Sequence, residues 1–123
     1  MTAFRVLIVE DEMLIAMDME DMLAEMGFEV VGPAPCLERG MELARREAFD
    51  MAVLDINLAG RTSFPIADIL RERGIPFLFA TGYGVAGLLE KYVGTTTLQK
   101  PVEFLQLKAE IVALRQLGEN STV

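Results

Sequence analysis

Histidine is absent from this 123-residue chain, and cysteine occurs once, as Cys36. The first absence removes imidazole bases, imidazole metal ligands and any phosphohistidine carried by the chain itself. The lone thiol excludes an internal disulfide and reads as a reduced thiol whose ordinary place is a buried or half-buried packing position. Positive charge is scarce too. Eleven Lys and Arg stand against 19 Asp and Glu, a net charge of −8, and no stretch gathers the base needed to follow a phosphate backbone. Direct nucleic-acid binding is therefore not expected. No apolar run approaches the roughly 18 residues of a membrane span, and the first residues lack a signal-peptide pattern. The expectation is a cytoplasmic chain with no membrane contact.

Hydrophobic residues make up 52% of the sequence, enough for a full core in one domain over 1–123, with its body at 4–117 and a polar tail at 118–123. Apolar runs alternate with helical periodicity. Strands are expected at 4–9, 29–31, 51–55, 76–80 and 95–99, the second stopped by Gly32-Pro33. Helices are expected at 12–26, with Gly27 just past its end, at 36–47, from Ser63 as N-cap to Gly74, and at 102–117. Segment 83–93 should hold a further helix, but its glycines make that helix short or mobile. Strict alternation and continuously apolar strands argue for an α/β fold: a doubly wound, five-stranded parallel sheet, order 2-1-3-4-5, helices on both faces.

In such a sheet all strands open onto one edge, where open α/β sheets place their chemistry. The first strand runs into Glu10-Asp11-Glu12, the third ends at Asp55, the fourth at Thr81-Gly82 and the fifth at Lys100-Pro101. Glu10, Asp11 and Asp55 against Lys100 leave the edge two positive charges short. A divalent cation closes that gap, and Mg²⁺ suits a few carboxylates, a carbonyl and a phosphate oxygen. Asp55 is the candidate nucleophile, because carboxylates form aspartyl-phosphates. Thr81 can hydrogen-bond a phosphoryl oxygen and Lys100 can pair with another. Singly, each residue has an ordinary explanation: acids favour a helix start, Asp and Thr-Gly form turns, and Lys before Pro leaves a strand. Their joint placement at four strand ends does not.

These residues together resemble a response-regulator receiver domain over 4–117. The resemblance implies an acid pair at Glu10-Asp11, the phosphoacceptor at Asp55, the switch hydroxyl at Thr81 and the site lysine at Lys100. It further implies a metal ligand in the backbone carbonyl of Asn57, and a cis peptide at Lys100-Pro101. The string Phe79-Ala80-Thr81-Gly82-Tyr83-Gly84 is similar to the signature of the FATGUY-type subgroup. Members of that subgroup are often single-domain proteins paired with HWE-class histidine kinases. The implied function is a stand-alone, Mg²⁺-dependent phosphoryl acceptor. It would be charged by a sensor histidine kinase or phosphotransfer protein, and would switch a surface for a downstream protein or act as a phosphate sink. It would be no enzyme beyond its own phosphorylation and dephosphorylation.

Three departures stand out. Glu10 replaces the more usual Asp, Ala59-Gly60 replaces Pro-Gly in an irregular loop, and Thr97 occupies the position of the usual switch aromatic. Without that aromatic, residues 82–93 are the expected mobile switch element. On the last helix Phe104, Leu107, Ile111 and Leu114 form the core face, leaving Leu105 and Val112 as an outer apolar strip. Three other functions compete. An aspartyl-phosphate hydrolase needs a second Asp where Asn57 stands, a flavodoxin-like cofactor site would meet the acids after strand one, and a degenerate receiver would serve only as a binding module.

Overall fold

The uninterrupted apolar runs become the inner strands of a sheet covered on both faces. The computed structural model describes residues 3–82 and 92–120. Its elements are β1 Arg5–Val9, α1 Met13–Glu25, β2 Glu29–Ala34, α2 Leu37–Arg46, β3 Met51–Asp55, β4 Asn57–Leu58, β5 Arg61–Thr62, α3 Phe64–Arg73, β6 Phe77–Thr81, β7 Thr97–Gln99 and α4 Phe104–Asn120. The main sheet has the order β2-β1-β3-β6-β7, and every pairing in it is parallel. This is the expected 2-1-3-4-5 arrangement, since β6 and β7 are its fourth and fifth strands. The expected helix at 83–93 falls almost wholly outside the described residues, as does most of the mobile element expected at 82–93. Val93, at the end of that element, is exposed.

Side-chain alternation splits the core in two. Leu7, Val9, Leu54, Phe77 and Phe79 join Leu43, Ala44, Ile66 and Leu70 under α2 and α3. Val6, Ile8, Val53 and Leu78 join Met19, Leu23, Leu107 and Ile111 under α1 and α4. The last helix thus buries Leu107 and Ile111 and exposes Leu105 and Val112, as its sequence periodicity predicts. α1 and α3 both end at a glycine with positive φ, Gly27 (+88°) and Gly74 (+69°). In each case the following residue closes the turn backward, Phe28 N–H to Leu23 O and Ile75 N–H to Leu70 O.

Four local expectations need correction. Gly32-Pro33 does not stop strand two. β2 continues to Ala34, with one extra residue between the pairs Leu7–Val31 and Val9–Ala34. An edge strand tolerates proline at such a bulge. Gly32 (φ +91°) is required there, because a Cβ would lie 2.7 Å from Ala34 N and 3.0 Å from Ile8 O. Segment 56–63 is not an irregular loop. Ala59 (φ +52°) and Gly60 (φ +88°) turn a two-residue antiparallel hairpin, whose twist calls for positive φ at both positions. Ser63 stands at the N-cap of α3 but makes no side-chain capping bond; its backbone carbonyl accepts from Ile66 and Ala67 instead. Cys36 is exposed, because it precedes α2 on the solvent side while Leu37 takes the buried position.

Candidate functional site

Four strand ends bring the expected side chains to one edge. β1 delivers Glu10 and Asp11, β3 delivers Asp55, β6 delivers Thr81, and β7 delivers Lys100. Pairing fixes their heights: Asp55 lies opposite Ala80, and Thr81 opposite Gln99. The Lys100 amide donates to Thr81 O at 2.8 Å, and the Lys100-Pro101 peptide is cis.

Carboxylate oxygens of Glu10, Asp11 and Asp55 all lie within 4.8 Å of one another. Lys100 Nζ sits between two of them, 2.6 Å from Glu10 Oε1 and 3.0 Å from Asp55 Oδ2. Glu10 and Asp55 are buried. The longer Glu10 side chain is therefore engaged by the lysine, and its other oxygen accepts from the Glu12 amide at 3.1 Å. Asp55 Oδ1 accepts from the Asn57 amide at 3.2 Å. Asp11 Oδ2 accepts from the Ala59 amide at 3.1 Å, so the hairpin is tied to both Asp55 and Asp11, and Asn57 Oδ1 accepts from the Gly60 amide at 2.9 Å across its own turn. Asp11, Asp55, Asn57, Gly82 and Lys100 line an open cleft of about 350 Å³.

Burial pushes the Asp55 carboxyl up to about 7; Lys100 opposes the shift, and Glu10 beside it reinforces it. Burial alone would lower the Lys100 ammonium, but its bonds to Glu10 and Asp55 outweigh that and hold it above the ordinary lysine value. The donor set is all oxygen, converges on one point and carries more negative charge than Lys100 cancels. That is the chemistry of a hard divalent cation such as Mg²⁺.

Sequence reasoning missed one element beside the site. Tyr92 is fully buried under α3, stacked on Phe64 at 5.3 Å and edge-on to Phe79 at 5.6 Å. An isolated aromatic beyond a glycine-interrupted stretch carries no periodic signal that would have marked it as core.

A doubly wound parallel sheet with an acid trio, a hydroxyl and a bridging lysine at its C-terminal edge defines a phosphoacceptor-type regulatory fold. Residues 6–112 match the response regulator receiver domain model, and the chain belongs to that family. It is 36% identical over 88 residues to the transcriptional regulatory protein PdtaR of Mycobacterium tuberculosis, across 71% of this chain and 43% of PdtaR. The chain spans less than half the length of the curated relatives it matches first. Among solved structures it resembles SdrG of Sphingomonas melonis Fr1, with a TM-score of 0.82, 35% identity and coverage of 93% of this chain and 98% of that one. The BeF3-activated conformation of SdrG, from Pseudomonas melonis Fr1, has a TM-score of 0.77 at 36% identity, with the same coverage. A CheY-like receiver domain protein of Methanospirillum hungatei JF-1 has a TM-score of 0.84 at 26% identity, covering 98% of this chain and 99% of that one. Among the described residues no helix is long and apolar enough to cross a membrane.

Proposed function

We propose that this chain is a phosphoryl-accepting switch in which Asp55 takes a phosphoryl group from the phosphohistidine of a sensor kinase or phosphotransfer protein. The observation that carries this reading is the bridge Glu10–Lys100–Asp55 beside Asp11 in one cleft. An Asp55 oxygen forms the new O–P bond as the P–N bond of the donor breaks, its electron pair leaving with the donor imidazole. Lys100, now held by two carboxylates, is in place to pair with an incoming phosphoryl oxygen, and Thr81 to hydrogen-bond another. Asp11, Asp55 and the Asn57 carbonyl would hold Mg²⁺, with Glu10 completing the negative charge around it while retaining Lys100. When bound, the cation supplies the missing positive charge and returns Asp55 to the ionised form that a nucleophile needs.

SdrG has a BeF3-activated form, and its likeness here supports the same response in this chain. The string Phe79–Gly84 supports membership of the FATGUY-type subgroup and so a partner kinase of the HWE class. On this reading the domain acts in the cytoplasm as a switch or a phosphate sink. Its only chemistry is its own phosphorylation and dephosphorylation, and its downstream target is a protein.

Incubation with acetyl phosphate and Mg²⁺, followed by intact mass, should add one phosphoryl group. Asp55→Ala and EDTA should each abolish the addition. Equal labelling of the variant would overturn the assignment.

A further inference from the structure

Two arms of chain leave the acid site in different directions. One runs from Asp55 through the β4–β5 hairpin into α3, and Asp11 grips it at the Ala59 amide. The other consists of β6, ending at Thr81, and β7, ending beside Lys100. Both arms meet again at Tyr92. Its hydroxyl donates to Asp68 of α3, and the Arg71 guanidinium, one turn further along α3, covers its ring at 4.2 Å. From the other arm, Phe77 and Phe79 present their rings to Tyr92 at 6.0 and 5.6 Å. Alternation along β6 places Thr81 next in that same row. The carbonyl of Tyr92 also accepts from the Thr95 amide at 3.0 Å, and Phe79 N–H reaches Thr96 O at 2.9 Å, which ties the ring to the entry of β7.

Resting on the phosphoacceptor reading above, we propose that Tyr92 is the positioning residue of this site: its bond to Asp68 holds the two arms at the resting spacing and must open when Asp55 is phosphorylated. A group on Asp55 draws Thr81 and Lys100 from one arm and leans on the hairpin of the other, so the spacing between β6 and α3 is what it changes. Thr97 stands where receivers usually carry their switch aromatic, and its hydroxyl donates to Thr95 O at 3.2 Å. Tyr92 supplies the missing ring from the other side of the chain's turn into β7. Burial and Asp68 both keep its hydroxyl protonated, hence a donor, throughout the physiological range. By linkage, whatever the site does to the latch, the latch does to the site with equal coupling.

The chain has only two tyrosines, so 3-fluorotyrosine gives two ¹⁹F resonances, and Tyr92→Phe identifies that of Tyr92. In the wild-type protein the Tyr92 resonance should move as intact mass shows Asp55 becoming phosphorylated. Tyr92→Phe keeps the ring and loses the bond. It should label about 3- to 10-fold faster than wild type at sub-saturating acetyl phosphate, the range expected for losing one hydrogen bond to a screened charge. Asp68→Ala removes the acceptor and leaves the ring in place, and should label faster by a similar factor, an effect that a purely packing role of the ring would not produce. Full labelling with an unmoved Tyr92 resonance overturns the latch and leaves the phosphoacceptor reading intact. An unchanged rate in Tyr92→Phe also overturns the latch. No labelling of the wild-type protein overturns both.

Discussion

The two faces of the sheet are built differently. The α2–α3 face is aromatic, with Phe49, Phe64, Phe77, Phe79 and Tyr92 in one cluster. Arginines seal it from outside: Arg73 lies over Phe49 at 5.4 Å and donates to the carbonyls of Ala44 and Glu47 at the end of α2. The α1–α4 face is mainly aliphatic and methionine-rich inside, with the Phe4–Phe28 ring pair at one end covered by Arg115 at 4.6 Å, and the rest of its outer surface is unsealed. Met13, Leu14, Met17, Leu105 and Val112 are exposed on its two helices, whereas no large exposed hydrophobic lies on α2 or α3. Charge is uneven along the chain as well. Between Arg5 and Arg39 the sequence has nine acids and no base. Interlocked rings tolerate little repacking, while methionine side chains adapt to what they meet. One face is thus suited to transmit a displacement, and the other to receive a partner.

Among truncations to alanine, the largest effect should come from the aromatic face. Phe79→Ala removes the ring that joins Phe64, Phe77 and Tyr92, and is expected to cost about 3–5 kcal/mol in urea unfolding. Leu23→Ala, fully buried on the opposite face, should cost about 2–5 kcal/mol and fall below the first. A reversed order would break the contrast in stiffness.

Where the two faces meet, at the acid edge, pH should tell. The Asp55 carboxyl is raised in the folded protein to about 7, against an unfolded value near the ordinary 3.8. Between those values the folded state holds more protons than the unfolded one, so this group's contribution to stability falls as pH rises. Without metal, thermal stability should therefore fall from pH 5 to pH 8 relative to Asp55→Asn, in which the slope should be reduced. Mg²⁺ should restore stability at pH 8. Parallel pH profiles in EDTA would show that the crowding is relieved some other way.

A smaller effect is expected at Gly40 of α2. A Cβ there would lie 2.5 Å from Ile66 Cδ1 and 3.3 Å from Val9 Cγ1. Gly40→Ala forces either the Ile66 side chain or α2 itself to shift, and should cost about 1–3 kcal/mol as overpacking. A neutral or stabilising result would mean that the side chain of Ile66 yields freely.

Most of the site was legible because a parallel sheet brings the ends of its strands to one edge. An acid after β1 and β3, a hydroxyl after β6 and a lysine after β7 need no knowledge of the loops to be placed together. The residues that escaped lack a period. Ala59-Gly60 reads as loop because a two-residue strand has too few positions to alternate. Gly32-Pro33 reads as a stop because its two breakers mark a bulge and a terminus equally well. That Glu10 would turn its extra methylene toward Lys100 depends on a side-chain length acting in three dimensions. Tyr92 and its partners Asp68 and Arg71 are joined only by the fold, with Asp68 and Arg71 spaced one turn apart on the outer side of α3.

The smallest effect on stability should come from the outer strip of α4, and that is what makes it informative. Leu105 is 76% exposed and Val112 42% exposed, while Leu107 and Ile111 on the inner side of the same helix are fully buried. Changing Leu105 and Val112 to Asp together should shift stability by no more than about 0.5 kcal/mol, as exposed substitutions usually do. Leu107→Asp, only two positions along, buries a charge and should cost about 4 kcal/mol or more. The outer double variant should also label with acetyl phosphate as wild type does, since neither residue lines the cleft. If the unsealed face is where proteins dock, transfer from a phosphorylated kinase domain, or capture by the downstream target, should weaken in that variant while its fold and small-molecule labelling stay intact. Retained affinity for both protein partners would leave the strip as ordinary surface and shift the docking role to Met13, Leu14 and Met17 on α1.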